Sequence, residues 1–406
     1  MPHIKPEMAE TEVQSKFRTY LLVTGILFIA VNLRPALAGV GPLVGTIREH
    51  TGLSNFALGL LTTLPLIAFG VVSTFTPLFT RRFGIAGTLA GALLLITIGT
   101  ALRALEFIPT LFIGTLLLGI GVAFGNVLLP SLVKRNFATN SGFMTSLYSG
   151  VLGIGAALAA GISIPLATDL GLGWRGSLGI WAVLSLIAFF VWLPQLWHIK
   201  KVSRKRSYLE AMKKLTNSAL AWKVALFMGL QSCAYYVILA WLPEILQSRG
   251  LDSEHAGWML SLSQATGVLG SLFIPFWAGR KRDQRGIVVF LILLEVVSLI
   301  GLMIPQVGLI PLWVSLIGFA LGGSFGLSLM FIILRSDDTE TATELSGMSQ
   351  SIGYLLAALG PILLGALFDV TGNWVYSLLA LSILVFAKLY MGLGAAKPQK
   401  LVIKSD

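Results

Sequence analysis

Long apolar runs recur from residue 17 to about residue 393, and they constrain the fold of this chain more than any other feature. Runs of roughly 17–25 residues have the length of a helix that crosses the hydrocarbon core, whereas a membrane barrel would show alternating segments of about ten residues. With 55% hydrophobic and only 12% charged residues, the chain is far more apolar than an average soluble domain. The sequence therefore predicts an all-α integral membrane protein.

Twelve transmembrane helices are predicted, with boundaries at about residues 17–47, 55–79, 85–105, 110–133, 142–168, 175–197, 219–247, 254–279, 286–304, 309–334, 344–369 and 373–393. The connecting segments alternate between rich and poor in Lys and Arg. The rich segments hold Arg81-Arg82, Lys134-Arg135, the run 200–214, residues 280–282 with Arg285, and Arg335, and the poor ones hold Arg48, Arg103, Arg175 and Arg249. Basic loops stay in the cytoplasm, so we expect both termini there and the chain in the cell membrane.

One alternative for the start of the chain is a cleavable signal peptide. Lys16 and Arg18, an apolar core at residues 20–33 and Ala36-Leu-Ala38 resemble its three regions. Arg34 directly before the small residues argues against it. Cleavage would also leave eleven spans and strand the apolar residues 35–47 in water.

Several function classes find no support in the sequence. The net charge of +11 is spread between apolar runs and forms no basic stripe with interleaved aromatics, so we expect no nucleic-acid partner. Cys233 is the only cysteine, which excludes an intramolecular disulfide. No Ser/His/Asp, HExxH or GxxxxGK[ST] arrangement is present. We therefore expect no enzyme, no ATP-driven pump, no cofactor and no metal site.

The segment Asn32-Leu-Arg34-Pro35 interrupts the first apolar run with a charge and a helix breaker. A charge near the bilayer centre disfavours insertion by roughly 2.5–3.5 kcal/mol on translocon scales. Pro35 has no N–H and leaves the carbonyl of Val31 without its helical partner. Protein neighbours or a wet cavity must satisfy both groups. We expect Arg34 to face a polar pathway, with a structural clamp and an interfacial position as the alternatives.

Two halves of the chain repeat at a spacing of about 200 residues. The segment from Pro77 to Gly84 corresponds to that from Pro275 to Gly286, and each is predicted to be a short basic turn between two spans. Trp174 and Trp374 each open the last span of their half. The repeat predicts six-helix bundles at 17–198 and 218–394 and a linker at 199–217 with seven Lys or Arg residues. The polar composition of residues 1–16 predicts a disordered tail, and residues 395–406 form a second tail.

Two parallel six-helix halves are the plan of major facilitator transporters, and the chain resembles that superfamily. Within it, the chain is similar to the cyanate and nitroimidazole transporter family over nearly its whole length. The resemblance is carried by Asn32-Leu-Arg34-Pro35, Gly59-Leu-Leu-Thr-Thr-Leu-Pro65, Gly125-Asn-Val-Leu-Leu-Pro-Ser-Leu-Val-Lys-Arg135, Tyr235-Tyr-Val-Ile-Leu-Ala-Trp-Leu-Pro243, Asp283-Gln-Arg-Gly286 and Leu345-Ser-Gly-Met-Ser-Gln-Ser-Ile-Gly-Tyr354.

The resemblance implies the major facilitator fold, with two six-helix bundles in pseudo-twofold relation. It also implies a monomeric secondary active transporter that moves a small polar or anionic molecule by alternating access. Conformational-switch loops are implied at Arg81, Arg82, Gly84, Asp283, Arg285 and Gly286. The chain departs from the superfamily at the first of these loops, which lacks the usual acidic residue, and in the fifth span, which lacks the Gly-Pro pair of drug and proton antiporters.

Polar side chains at mid-membrane depth are the candidates for the substrate site, because each must be paired, hydrated or functional. In the resembled fold their spans line the central cavity. The candidates are Asn32, Arg34 and Asn126 in the first half and Gln231, Tyr235, Gln264, Gln350 and Tyr354 in the second. Hydrogen bonding between helices is the alternative role for the amides. Tyr235 and Tyr236 differ by about 100° around a helix, so at most one should face the cavity squarely.

Energy coupling by protons would need a buried carboxylate or histidine. Glu244, near the outer end of its span, is the candidate for gating or proton coupling, and Glu295 is expected to pack against a neighbour. Two other functions stay open at this point. One is a proton-coupled efflux antiporter for drugs or metabolites, and the other is a membrane sensor that transports nothing.

Overall fold

The computed structural model describes residues 6–199, 207–304 and 308–401. Eleven helices in these residues are long and apolar enough to cross a membrane. One of them, Asn55–Leu102, reverses direction at Gly84 and therefore holds two spans, which brings the total to twelve. Apart from an isolated bridge between Ser336 and Leu401, no β-pairing occurs in the described residues. The prediction of an all-α protein with twelve transmembrane helices is confirmed.

The spans are numbered here in chain order. Span 1 consists of Pro6–Asn32, Pro35–Ala38 and Val40–Thr51, spans 2 and 3 are the two arms of Asn55–Leu102, span 4 is Ile108–Asn136, span 5 is Ser141–Thr168, and span 6 consists of Gly173–Gly179, Trp181–Trp192 and Gln195–His198. Span 7 is Ala219–Gln247, span 8 is Ser253–Gly279, span 9 is Arg285–Met303, span 10 is Ile310–Arg335, span 11 is Thr339–Thr371 and span 12 is Trp374–Ala395.

Gly84 makes the sharpest turn in the fold. Its backbone has φ 73° and ψ 171°, a conformation that is essentially restricted to glycine, and the residues on both sides are helical. The predicted basic turn between spans 2 and 3 is therefore a single-residue reversal. In the second half, non-helical residues 280–284 make the connection and Gly286 lies inside span 9. The repeat thus preserves the position of the connection but not its conformation.

The segments outside the spans are more ordered than the sequence suggests. A helix begins at Pro6, so the predicted disordered tail differs from the structure over residues 6–16; residues 1–5 lie outside the described part. Proline is favourable at a first helical position, and Glu, Met, Ala and Gln are good helix formers. The linker contains the helix Tyr208–Thr216, whose N-terminus is capped by a capping box at Ser207 and Glu210. At the other terminus, the backbone N–H of Leu401 donates to the carbonyl of Arg335 at 2.7 Å.

Glycines set the closest approaches between spans within each half. Gly99 of span 3 and Gly114 of span 4 contact each other so closely that an added Cβ on either would lie within 2.6 Å of the other's backbone. In the second half, Gly270 of span 8 packs on the backbone of Phe319 in span 10, and Gly322 of span 10 packs on the backbone of Gly267 in span 8. Small residues allow such contacts between membrane helices, where van der Waals packing drives association.

The two halves contact each other at one end of the bundle. We call it the basic end, because the segments with Arg81-Arg82, Lys134-Arg135, 280–282 and Arg335 lie there. Spans 5 and 8 and spans 2 and 11 pack together there, and span 4 contacts spans 10 and 11. Gly142 and Gly279 pack backbone to backbone, and Lys134 donates to the carbonyl of Ser336 at 2.7 Å.

The opposite end of the bundle is open. An added Cβ on Gly41 or Gly45 of span 1 or on Gly257 of span 8 would meet no atom within 4 Å. Among the described residues, no hydrogen bond or ion pair joins the halves at this end. The structure is therefore closed at the basic end and open at the other, with a cleft between the halves that reaches mid-membrane depth.

Candidate functional site

The interruption of span 1 that Pro35 predicts is present. The first helix ends at Asn32, and a one-turn helix, Pro35–Ala38, follows. The carbonyl of Val31, which Pro35 leaves without a helical partner, lies against Gly155 of span 5, 2.8 Å from the position of an added Cβ. Asn32 is buried and donates from its side chain to the carbonyl of Phe28 at 2.6 Å. Asn32 thus turns back on its own helix, whereas Arg34 leaves the helix at the break.

Arg34 lies in the cleft between the two halves. Its guanidinium is 5.7 Å from the ring centre of Phe325 in span 10, a distance at which a cation is attracted to an aromatic face. It lies beside the phenol groups of Tyr235, Tyr236 and Tyr354 and is in hydrogen-bonding contact with Tyr236. The residue is half-buried although it is centred in the membrane span, so its exposed surface faces the cleft.

No carboxylate lies within ion-pair distance of Arg34 in the described part of the chain. The groups around it are neutral hydroxyls and an aromatic ring. A guanidinium in such a setting retains hydrogen-bond donors in a planar fork that matches a carboxylate or another planar anion. The charge of Arg34 is therefore compensated only in part by the protein.

A second group of candidates joins the halves directly. Asn126 of span 4 donates from its side-chain amide to the hydroxyl of Tyr354 in span 11 at 3.1 Å. Gln350, one helical turn before Tyr354, donates to the backbone carbonyl of Asn126 at 3.4 Å, while its side-chain oxygen has no hydrogen-bond partner in the described residues. The ring of Tyr354 packs against Phe69 of span 2 with centroids 4.7 Å apart. The Gln350 side-chain oxygen is therefore a hydrogen-bond acceptor that no described protein group uses.

Tyr235 and Tyr236 point in different directions, as the 100° step predicts. Their rings meet edge to face at 5.4 Å. Tyr235 donates to the side-chain oxygen of Gln264 in span 8 at 2.9 Å, and Tyr236 contacts Arg34. Both tyrosines and Gln264 are half-buried and line the cleft. Both rings therefore border the cleft, Tyr235 beside Gln264 and Tyr236 beside Arg34.

Two predicted residues lie apart from this cluster. Gln231 is buried in span 7 and donates to the hydroxyl of its neighbour Ser232 at 2.7 Å. No hydrogen bond joins it to Arg34 in the described residues. Glu244 is exposed near the end of span 7, at the level of the open end of the cleft. Of the eight predicted binding residues, Gln231 lies apart and Asn32 bonds its own helix. The other six lie in or beside the cleft, namely Arg34, Asn126, Tyr235, Gln264, Gln350 and Tyr354.

One cleft residue escapes the sequence analysis, and another is weighed there only against its neighbour. Tyr236, weighed against Tyr235, contacts Arg34. Phe325 left no signal, because an aromatic residue in an apolar span is indistinguishable from ordinary packing.

Glu295 packs against a neighbour as expected, and that neighbour is a charged residue. Lys388 of span 12 forms a buried ion pair with Glu295 of span 9, with 0% and 1% of the side chains exposed, and Ser324 of span 10 donates to the same carboxylate at 3.2 Å. All three residues belong to the second half and none contacts the cleft cluster. The lysine in the middle of an apolar run was the signal that the sequence analysis did not use.

The predicted switch loops make different contacts in the two halves. Arg81 reaches across the basic end to Glu340 and Glu344 of span 11, at 3.8 and 3.9 Å, and its guanidinium is 5.7 Å from the ring of Tyr208 in the linker helix. The acidic partner that its own loop lacks thus comes from the other half. Arg82 lies over the ring of its neighbour Phe83 at 5.5 Å.

The second switch loop is closed on itself. Asp283 accepts hydrogen bonds from the side chain of Arg285, at 2.8 Å for the Nε–Oδ2 pair, and from its backbone N–H. These bonds lower the pKa of the Asp283 carboxyl. Gly286 has open space around it. This loop therefore makes an exposed ion pair within one half.

Serine hydroxyls and backbone carbonyls hold the basic end closed. Ser149 of span 5 donates to the carbonyl of Ser271 in span 8 at 2.8 Å, and Ser146 donates to the carbonyl of Leu272. Pro275 lacks the N–H that would otherwise bond the Ser271 carbonyl in the helix. Ser149 of the first half therefore hydrogen-bonds the carbonyl that Pro275 leaves without a helical partner.

The second span pair repeats this device. Pro77 of span 2 leaves the carbonyl of Ser73 free, and Gly347 of span 11 packs against it, 2.6 Å from the position of an added Cβ. Ser351, one turn after Gly347 in span 11, donates to the carbonyl of Gly70, one turn before Ser73 in span 2. Both pairs are joined by hydrogen bonds or close packing to backbone, and the pair of spans 2 and 11 also carries the ion pairs of Arg81 with Glu340 and Glu344.

Comparisons with known proteins show which family the sequence resembles. A family model described as Major Facilitator Superfamily matches residues 21–361. A 2-nitroimidazole transporter from Escherichia coli (strain K12) is 41% identical over 381 residues, which are 94% of this chain and 96% of that protein. An uncharacterized transporter, YycB from Bacillus subtilis (strain 168), is 43% identical over 378 residues, 93% of each chain. The cyanate transport protein CynX of E. coli (strain K12) is 28% identical over 350 residues, 86% of this chain and 90% of that protein.

Solved structures share the fold at low sequence identity. The proton:xylose symporter XylE superposes with a TM-score of 0.73 at 13% identity over 91% of this chain and 94% of that one. The transporter FucP in the outward conformation superposes with a TM-score of 0.72 at 12% identity over 92% and 99%. These likenesses concern the fold alone.

Proposed function

The chain belongs to the Major Facilitator Superfamily and is a multi-pass membrane transporter, and we propose that it carries a small planar anion or polar compound that binds at Arg34. The observation that carries the proposal is the Arg34 guanidinium at mid-membrane depth, surrounded by hydroxyls and with no carboxylate within ion-pair distance among the described residues. An anionic or nitro group would complete its coordination.

The chemistry of the relatives supports this substrate class. The 2-nitroimidazole and cyanate transporters are named for small molecules that present oxygen or nitrogen acceptors in a plane. A guanidinium fork can bind two such acceptors at once, and each hydrogen bond to a charged group contributes about 1.5–3 kcal/mol. Tyr236 and Tyr354 supply further hydroxyls from the opposite wall. We infer a cyanate- or nitroimidazole-like substrate.

The position of Arg34 between the halves supports a coupling of substrate binding to movement. Arg34 belongs to the first half, and its hydroxyl neighbours belong to the second. A substrate held between them favours a state in which the open end closes. By the distribution of Lys and Arg, the basic end faces the cytoplasm of the cell and the cleft faces outward. Glu244, exposed at the level of the open end, remains the candidate for a gate or a proton-coupling group.

The test is binding and flux with purified protein. Ligand-induced thermal shift with cyanate, 2-nitroimidazole and a panel of organic anions identifies the substrate, and flux into proteoliposomes measures transport. Arg34→Ala and Arg34→Lys should both raise the Kd by about 10- to 100-fold, since the first loses the charge and the second loses the fork. Tyr236→Phe should have a smaller effect.

Arg175→Ala is the matched control. Arg175 also belongs to the first half and donates to backbone carbonyls, those of Leu105 and Glu106 at 3.0 and 2.7 Å, but it lies away from the cleft. Its removal should leave the Kd unchanged. An unchanged Kd in both Arg34 variants would remove Arg34 from the site. Efflux driven by a proton gradient would favour the antiporter alternative.

A further inference from the structure

A second arginine lies behind the broken segment of span 1. Arg103 follows the last residue of span 3, where the sequence places it in a sparse loop, yet its side chain is turned inward and is 0% exposed. Its Nη1 donates to the carbonyl of Ala36 at 2.5 Å, which is the only side-chain hydrogen bond it makes within the described residues. Its Nε and Nη2 have no partner there.

The burial of Arg103 is unusual for such a sparse set of partners. Burying a guanidinium is unfavourable unless its geometry and hydrogen bonds compensate. The one partner of Arg103 is a backbone carbonyl in the helix Pro35–Ala38, two residues after Arg34. The contact therefore acts on the segment that presents Arg34 to the cleft, from the side away from the cleft.

The broken segment is held from two further directions. Gly155 of span 5 packs on the carbonyl of Val31, and Ser163 of the same span lies 2.9 Å from the position of an added Cβ on Gly39. These are close packing contacts, however, and neither is a hydrogen bond to the segment between Arg34 and Gly39. Arg103 supplies the one side-chain hydrogen bond from another span that reaches the backbone of this segment in the described residues.

A break in a membrane helix removes the hydrogen bonds that would otherwise fix the direction of its side chains. Something else must then set the orientation of Arg34, because bidentate binding of a planar group depends on the orientation of the fork. We propose that Arg103 is a positioning residue for the substrate site, which acts by holding the Ala36 carbonyl and thereby orienting Arg34. This inference rests on the proposed function of Arg34.

The experiment is a double-mutant cycle with Arg103→Met and Arg34→Ala, with 2-nitroimidazole and sodium cyanate as probes. Arg103→Met should raise the Kd about tenfold in the unsubstituted background. In the Arg34→Ala background it should change the Kd less than twofold, because no fork remains to be oriented. Arg103→Lys, which retains a charged donor, should restore part of the affinity and covers the case in which the methionine variant does not fold.

A readout that needs no ligand separates this inference from the proposed function. Hydrogen exchange of residues 33–39, measured by mass spectrometry, should increase in Arg103→Met and stay unchanged in the control Arg175→Met. Unchanged exchange, or an equal loss of affinity in both Arg34 backgrounds, would overturn the positioning role. A Kd of Arg34→Ala equal to that of the unsubstituted protein would instead overturn the proposed function, and the exchange experiment would still report on the contact of Arg103.

Discussion

Removing the serine hydroxyls at the basic end should open that end of the transporter. Ser146, Ser149 and Ser351 each donate across the interface to a backbone carbonyl of the other half. In the open state, water or the helix itself can satisfy these groups, so the substitution Ser→Ala penalises the closed state alone. One bond of this kind contributes about 0.6–1.5 kcal/mol.

The expected shift follows from these values. Ser149→Ala alone should change the ratio of closed to open molecules by roughly 3- to 10-fold, and the triple Ser→Ala variant, at about 2–3 kcal/mol, by roughly 30- to 150-fold. The carbonyl of Ser271 adds to the penalty, because Pro275 leaves it without a helical partner when Ser149 is removed. The closed population should therefore fall further with each hydroxyl that is removed.

Distance measurements between spin labels provide the assay. Exposed positions Asn140 in the first half and Arg282 in the second flank the contact between Gly142 and Gly279, and Cys233→Ala provides a background without cysteine. The label distance should lengthen in the triple variant. Ser298→Ala is the control, since its hydroxyl bonds within its own helix, to the carbonyl of Leu294 at 2.6 Å. An unchanged distance distribution in the triple variant would refute the assignment of these bonds as the closure.

Two further predictions concern stability. Lys388→Met leaves the carboxylate of Glu295 buried and unpaired and should lower the free energy of unfolding by about 3–5 kcal/mol, whereas the pair Lys388→Met with Glu295→Gln should recover most of it, as measured by thermal unfolding in detergent; equal losses in both would contradict the ion pair. Gly84→Ala, at φ 73°, should cost about 1–3 kcal/mol, and Gly91→Ala, at a helical position with open space, should cost nothing. Similar unfolding temperatures for these two variants would show that the reversal tolerates a side chain.

Two arginines of the first half, Arg34 and Arg103, face in different directions. Arg34 lies on the cleft side of the broken segment and is surrounded by groups of the other half, whereas Arg103 lies behind it and contacts a backbone carbonyl of its own half. Only the first can meet a substrate in the cleft. Depth in the membrane is therefore a weaker guide to function than the direction in which a side chain leaves its helix.

The sequence alone determined the class of protein, the number of spans and the place of the break in span 1. Apolar length reports membrane crossing because the hydrocarbon core has a fixed thickness. Pro35 reports the break because its missing N–H is a local property. The repeat determined the plan of two halves, since related segments such as those at Pro77 and Pro275 fold at equivalent places.

Partners across the chain were decided only by the tertiary structure. The pairing of Arg34 with Tyr236 and Phe325, of Asn126 with Tyr354, and of Arg103 with Ala36 depends on which faces of distant spans meet. Periodicity cannot supply this information here, because apolar residues surround every span and helical phase is then undefined. The same limit explains why Arg103 was placed in a loop: its position along the chain marks the end of a helix, but its inward direction is set by packing.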